Sequence, residues 1–68
     1  MTVAELIQAL QALPPDLRVV RDGYEGGLCD VTKVSQIRIQ LDANDPAEWW
    51  YGPHEEAADG DAEAVYVF

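Results

Sequence analysis

The apolar residues change period along this 68-residue chain, and each change marks an element. Val3, Leu6, Ile7, Leu10 and Leu13 recur three or four residues apart. That spacing makes one stripe of an amphipathic helix, with Glu5, Gln8 and Gln11 off the stripe. Thr2 and Glu5 stand at capping-box spacing, where the hydroxyl accepts the third amide and the carboxylate returns to the cap amide. The helix is therefore predicted to start at Val3. Pro14-Pro15 ends it, because the residue before a proline is pushed out of the helical region. Beyond that point the period shortens. Leu17-Arg18-Val19-Val20-Arg21 predicts a short strand closed by Asp22-Gly23, and Tyr24-Glu25-Gly26-Gly27 a loop with positive φ values. Ile37, Ile39 and Leu41 alternate with Gln36, Arg38 and Gln40, which predicts a second strand over 34–41 with one buried and one wet face.

Asp45-Pro46-Ala47-Glu48 supplies a capping acid, a proline at the first helical position and a glutamate at the third, the signals of one extra helical turn near 45–50. Gly52-Pro53 breaks whatever forms there. From 54 to 63 small alanines alternate with acids, Asp59-Gly60-Asp61 is a turn candidate, and Ala64-Val65-Tyr66-Val67-Phe68 reads as a final strand. The expected fold is α+β, with one N-terminal helix packed on a three-stranded antiparallel sheet in the order α-β-β-β. Trp49 and Trp50 cannot both face the core of such a layer, so one is expected inside and the other at an edge or on an interaction surface.

Length restricts the chain to a single small domain spanning 1–68. Such a chain buries only about 60% of its unfolded surface, so every apolar residue counts toward the core. Cys29 is the only cysteine and can form no internal disulfide, which fits a reducing, cytoplasmic compartment. The start MTVAEL has no basic region ahead of an apolar run, and no stretch reaches the roughly 20 apolar residues of a membrane span. Neither a signal peptide nor a membrane anchor is expected.

Charge changes the picture more than size does. Eight of the thirteen acids fall in 42–63, a stretch without a lysine or arginine, so the net −9 is carried almost entirely by the second half. The acids there are Asp42, Asp45, Glu48, Glu55, Glu56, Asp59, Asp61 and Glu63. A surface this negative repels nucleic acid and anionic lipid, so the partner expected is a basic protein surface. Were 59–63 extended, Asp59, Asp61 and Glu63 would point to one face about 6.6–6.8 Å apart, a row on the scale of nucleic-acid phosphates. Asp45 and Glu48 have a local role available in capping. Glu55, Glu56, Asp59, Asp61 and Glu63 have neither a cap nor a base nearby in sequence.

Other chemistries fail on spacing. A calcium loop begun at Asp42 has Ala47 where glycine is needed and Pro53 where the bidentate glutamate belongs. His54-Glu55-Glu56 lacks the second histidine of a zinc-protease helix, and one His with one Cys cannot close a zinc site. Cys29 with His54 would lack an orienting third group. Paired carboxylates need a pocket that raises one pKa, for which so small a domain has little volume. Gly23, Gly26 and Gly27 are followed by no Lys-Ser/Thr and form no phosphate loop. No catalytic residue, metal or cofactor is expected.

The segment Leu6-Ile7, Leu10, Leu13-Pro14-Pro15-Asp16, Val19-Val20, Gly23-Tyr24-Glu25-Gly26-Gly27 and Asp30-Val31 resembles a group of small proteins of bacteria, prophages and mobile elements. They share a short helix, "LPxD", a "VV" strand and "GYEGG", and the likeness covers about the first 31 residues. In size and charge the chain is also similar to phage-encoded anti-CRISPR proteins. Several of those inhibit a type I Cascade complex by presenting a DNA-like anionic surface. The resemblance implies a monomeric, non-enzymatic inhibitor directed at a Cas subunit. Its acids would supply the charge, and Trp49, Trp50 or Tyr51 the apolar anchors. The alternative is a small accessory or assembly protein that binds through its C-terminal strand and aromatic cluster.

Overall fold

The computed structural model describes residues 1–68. It contains the expected α+β arrangement, an N-terminal helix and antiparallel sheet, but with five strands in two sheets. The chain forms two compact units, Met1–Lys33 with Phe68, and Val34–Val67.

In the first unit, helix α1 spans Val3–Gln11. Its start is the predicted capping box. The Glu5 amide donates to Thr2 Oγ1 at 3.2 Å, and the Thr2 amide donates to Glu5 Oε1 at 2.9 Å. Donation to the carboxylate favours its ionised form, so the Thr2 amide foremost, then its hydroxyl, holds the Glu5 carboxyl below the ordinary glutamate range. The helix gives out at Ala12, ahead of the two prolines. Strands β1 (Val20–Asp22) and β2 (Leu28–Asp30) form an antiparallel hairpin, with Arg21 opposite Cys29. The predicted loop joins them. Glu25 (φ 50°) and Gly26 (φ 80°) are both left-handed, and the Gly27 amide donates to the Tyr24 carbonyl at 3.1 Å. Two consecutive positive φ values are what a hairpin with right-handed strand twist demands.

In the second unit, β3 (Val34–Gln40) lies between β4 (Glu55–Glu56) and β5 (Ala62–Val67), both antiparallel to it. The register sets Ile37 opposite Ala64 and Ile39 opposite Ala62, with Arg38 opposite Glu63. Ser35, Ile37, Ile39, Ala62 and Ala64 are half-buried along one face, while Gln36, Arg38, Gln40 and Glu63 are exposed on the other. This is the one-wet, one-covered alternation that β3 predicts.

Three expectations are corrected. β2 and β4 are additional strands, β1 begins at Val20 rather than Leu17 and takes in Asp22, and β5 begins at Ala62 rather than Ala64. The stretch near 45–50 holds no helix. The Glu48 amide donates to the Asp45 carbonyl at 2.9 Å and the Tyr51 amide to the Glu48 carbonyl at 3.0 Å, which makes two successive turns. A helical nucleus fixes several residues for its first hydrogen bond, and Gly52-Pro53 leaves no room to propagate one. Finally, no apolar side chain is fully buried: the stripe Val3, Leu6, Ile7, Leu10 and Leu13 is exposed, and so are both tryptophans. Each unit has 34 residues, below the roughly 40 at which a single core sustains a fold unaided.

Gly60 is the one buried residue. A Cβ there would collide with the Ile39 carbonyl and lie 2.8 Å from the Gln40 nitrogen, both backbone atoms that cannot swing aside. Gly60→Ala is expected to destabilise the second unit by about 1–3 kcal/mol, the usual cost of forced overpacking, as read from urea unfolding. A carbon-detected carboxyl titration should place Glu5 below the ordinary glutamate value, and Thr2→Val, which removes the hydroxyl and keeps the amide, should raise it only part of the way back. Because the folded value is the lower one, the contribution of Glu5 to the helix is complete above its unfolded pKa. It is lost as pH falls through the folded value.

Candidate functional site

All eight acids expected to form the site belong to the second unit, whose only cation is Arg38. Its net charge is therefore −7 from eight carboxylates and one guanidinium. The sheet register decides what Arg38 does. Placed opposite Glu63, it donates through Nη2 to Glu63 Oε1 at 3.0 Å and through Nη1 to the Gly60 carbonyl at 3.1 Å. Gln36 Nε2 completes the clamp, donating to Glu63 Oε2 at 2.7 Å. Glu63, expected to have no neutralising base, has one after all, supplied from 25 residues upstream.

The remaining acids divide by what touches them. Asp61 accepts from the Leu41 amide at 3.1 Å and from Gln40 Nε2 at 3.3 Å. Glu55 accepts from Asn44 Nδ2 at 2.9 Å, and Asp45 caps its own turn by accepting from the Ala47 amide at 2.9 Å. Neutral donors orient these three without cancelling their charge. Asp42, Glu48, Glu56 and Asp59 are exposed and their carboxylates bond to nothing in the protein. The phosphate-like row through Asp59, Asp61 and Glu63 does not form. Only Glu63 lies in a strand, since Asp59 sits in the turn closed by the Gly60 amide on the Ala57 carbonyl at 3.0 Å.

Between β3 and β4 the chain makes a loop closed at its base by Asn44. The Asn44 amide donates to the Pro53 carbonyl at 3.1 Å, and its side chain reaches the Gly52 carbonyl at 2.6 Å as well as Glu55. Asp42, left-handed at φ 51°, donates its amide to His54 Nδ1 at 3.0 Å, which adds a second tie. His54 thereby gains a local structural part. At the tip the indoles of Trp49 and Trp50 meet edge to face, centroids 5.9 Å apart and planes at 83°, with Tyr51 6.3 Å beyond Trp50. Trp49 is 83% exposed and Trp50 62%, so neither is the core tryptophan expected. An aromatic pair held outward beside Glu48 joins apolar area to negative charge.

The half-buried face of the sheet carries an open groove of about 390 Å³, floored by Ile37, Ile39 and Ala64 and flanked by His54 and Glu56. Glu56 stands opposite Ile39 in the register, which puts its unpaired carboxylate on this apolar face. No three His, Cys, Asp or Glu side chains converge on a point where a metal ion could be held. No helix is long and apolar enough to cross a membrane.

Arg38, Gln36, Gln40 and Asn44 organise these carboxylates, and residue-by-residue reading missed them. The signal available was the wet-face alternation of Gln36, Arg38 and Gln40, which marks donors that an adjacent acidic strand can meet. Compared with known proteins, the chain matches no family model, no curated protein and no solved structure.

Proposed function

We propose that the protein is a non-enzymatic inhibitor whose acidic second unit occupies a basic nucleic-acid-binding site on another protein. The target that the anti-CRISPR resemblance implies is a type I effector complex, Cascade, in the cytoplasm of the cell. One observation carries the reading. The single cation of this unit is already engaged by Glu63, so the other seven carboxylates face solvent with no positive charge among them. A surface of that sign attracts lysines and arginines that otherwise grip phosphates. Glu55, Asp61 and Asp45 are held in place by neutral donors, which lowers the ordering cost of binding. Trp49 and Trp50 offer the exposed aromatic area that anchors interfaces.

Electrostatic attraction between exposed groups weakens as the screening length shortens from about 10 Å at 0.1 M salt to about 3 Å at 1 M. The test is target-DNA binding by purified Cascade with and without the protein, across that range. Inhibition is expected at low salt and should fade as salt rises. The double variant Glu56→Gln with Asp59→Asn removes two carboxylates that nothing in the protein neutralises and should inhibit much more weakly than the unaltered chain. Arg38→Gln, which frees Glu63, should inhibit more strongly, and loss of so exposed an ion pair costs the fold at most about 1 kcal/mol. Undiminished DNA binding at low salt with excess protein present would refute the proposal.

A further inference from the structure

The sheet of the second unit ends in a bare strand. Its order is β4-β3-β5, so β5 has a neighbour on one side only. The direction of its free backbone groups follows from one bond: the Ala57 amide donates to the Arg38 carbonyl at 3.0 Å, which turns the backbone of Arg38 toward β4. Strand residues alternate in this respect, so Ile37 and Ile39 face β5 and bond to their partners Ala64 and Ala62. Glu63, Val65 and Val67 therefore point their N–H and C=O groups outward, to the open side. Natural sheets shield such an edge with charge, proline or a bulge. β5 has no proline, its register with β3 is unbroken over six residues, and its single charge, Glu63, is neutralised by Arg38.

We propose that this edge is a self-pairing surface, on which a second copy of the chain lays its own β5 antiparallel about a two-fold axis. The strand is complementary to itself. With Val65 opposite Val65 of the second copy, Glu63 falls opposite Val67 in both directions, and all three outward residues exchange both hydrogen bonds. This register never sets Glu63 against Glu63, the one like-charge opposition the strand could make. It also keeps Ala62 and Ala64 of both copies on one side, so the apolar face floored by Ile37 and Ile39 runs on across the axis. In place of the monomer that the anti-CRISPR resemblance implies stands a dimer whose formation the charge opposes. Each copy carries −9, so self-association strengthens with salt, the reverse of binding to a basic partner.

Sedimentation velocity of the full chain, with no effector present, tests this separately from the inhibitor reading. A species of twice the 7.5 kDa chain mass is expected, and its share should grow from about 0.1 M to about 1 M salt as repulsion is screened. Val65→Pro removes an outward N–H while sparing the β3 ladder, so it should give a monomer with unchanged strand dichroism. Val67→Lys sets a cation opposite Glu63 of the second copy and should tighten the dimer several-fold. It should do so more than Ala58→Lys, which makes the same charge change on an exposed turn. A monomer at both salt concentrations, a dimer that survives Val65→Pro with strands intact, or equal effects of the two lysines would each overturn the proposal. Should Val65→Pro fail to fold, the comparison of the two lysines decides.

Discussion

The pairing of β3 with β5 is the constraint on which the second unit depends. Side chains alternate along a strand, so the register that puts Ile37 and Ile39 beside Ala64 and Ala62 also puts Arg38 beside Glu63. That last pair is not hydrogen-bonded through its backbone, the geometry in which opposed side chains approach most closely. A slip of one residue would turn both isoleucines to water and carry Arg38 to an alanine. Hydrophobic burial and charge pairing therefore select the same register, and Gly60 permits it by letting the 57–61 turn approach the backbone of Ile39 and Gln40. From that choice follows the sign of everything around it, because no second cation exists in the unit to neutralise another acid.

How much of this could be read in advance depended on the range of each signal. The helix was legible because its cap, stripe and stop lie within fourteen residues, and Thr2 with Glu5 behaves as the spacing requires. The hairpin turn was legible from Glu25-Gly26 in the same way. β3 announced itself by alternation. β2 and β4 did not, since Leu28-Cys29-Asp30 and Glu55-Glu56 show no period and are strands only because β1 and β3 lie alongside. β5 starts at Ala62-Glu63, poor strand formers by themselves, for the same reason: context decides β preference more than composition does.

The acids were legible as a list and not as an arrangement. Sequence distance showed nothing basic near Glu63, while the fold brings Arg38 to it across 25 positions. Conversely Glu56 looked interchangeable with Glu55, yet one carboxylate is tied to Asn44 and the other stands unpaired on an apolar face. Adjacent residues in a strand point to opposite sides, so a pair of glutamates written together is divided between two environments.

The two indoles at the tip of the 42–55 loop have an optical consequence. Stacked edge to face at 5.9 Å and 83°, Trp49 and Trp50 are near enough for their electronic transitions to couple. The strength of that coupling varies with separation and mutual angle. The pair is thus an intrinsic chromophore whose near-ultraviolet spectrum encodes the shape of the loop, so whatever surface comes to cover it is recorded without a label.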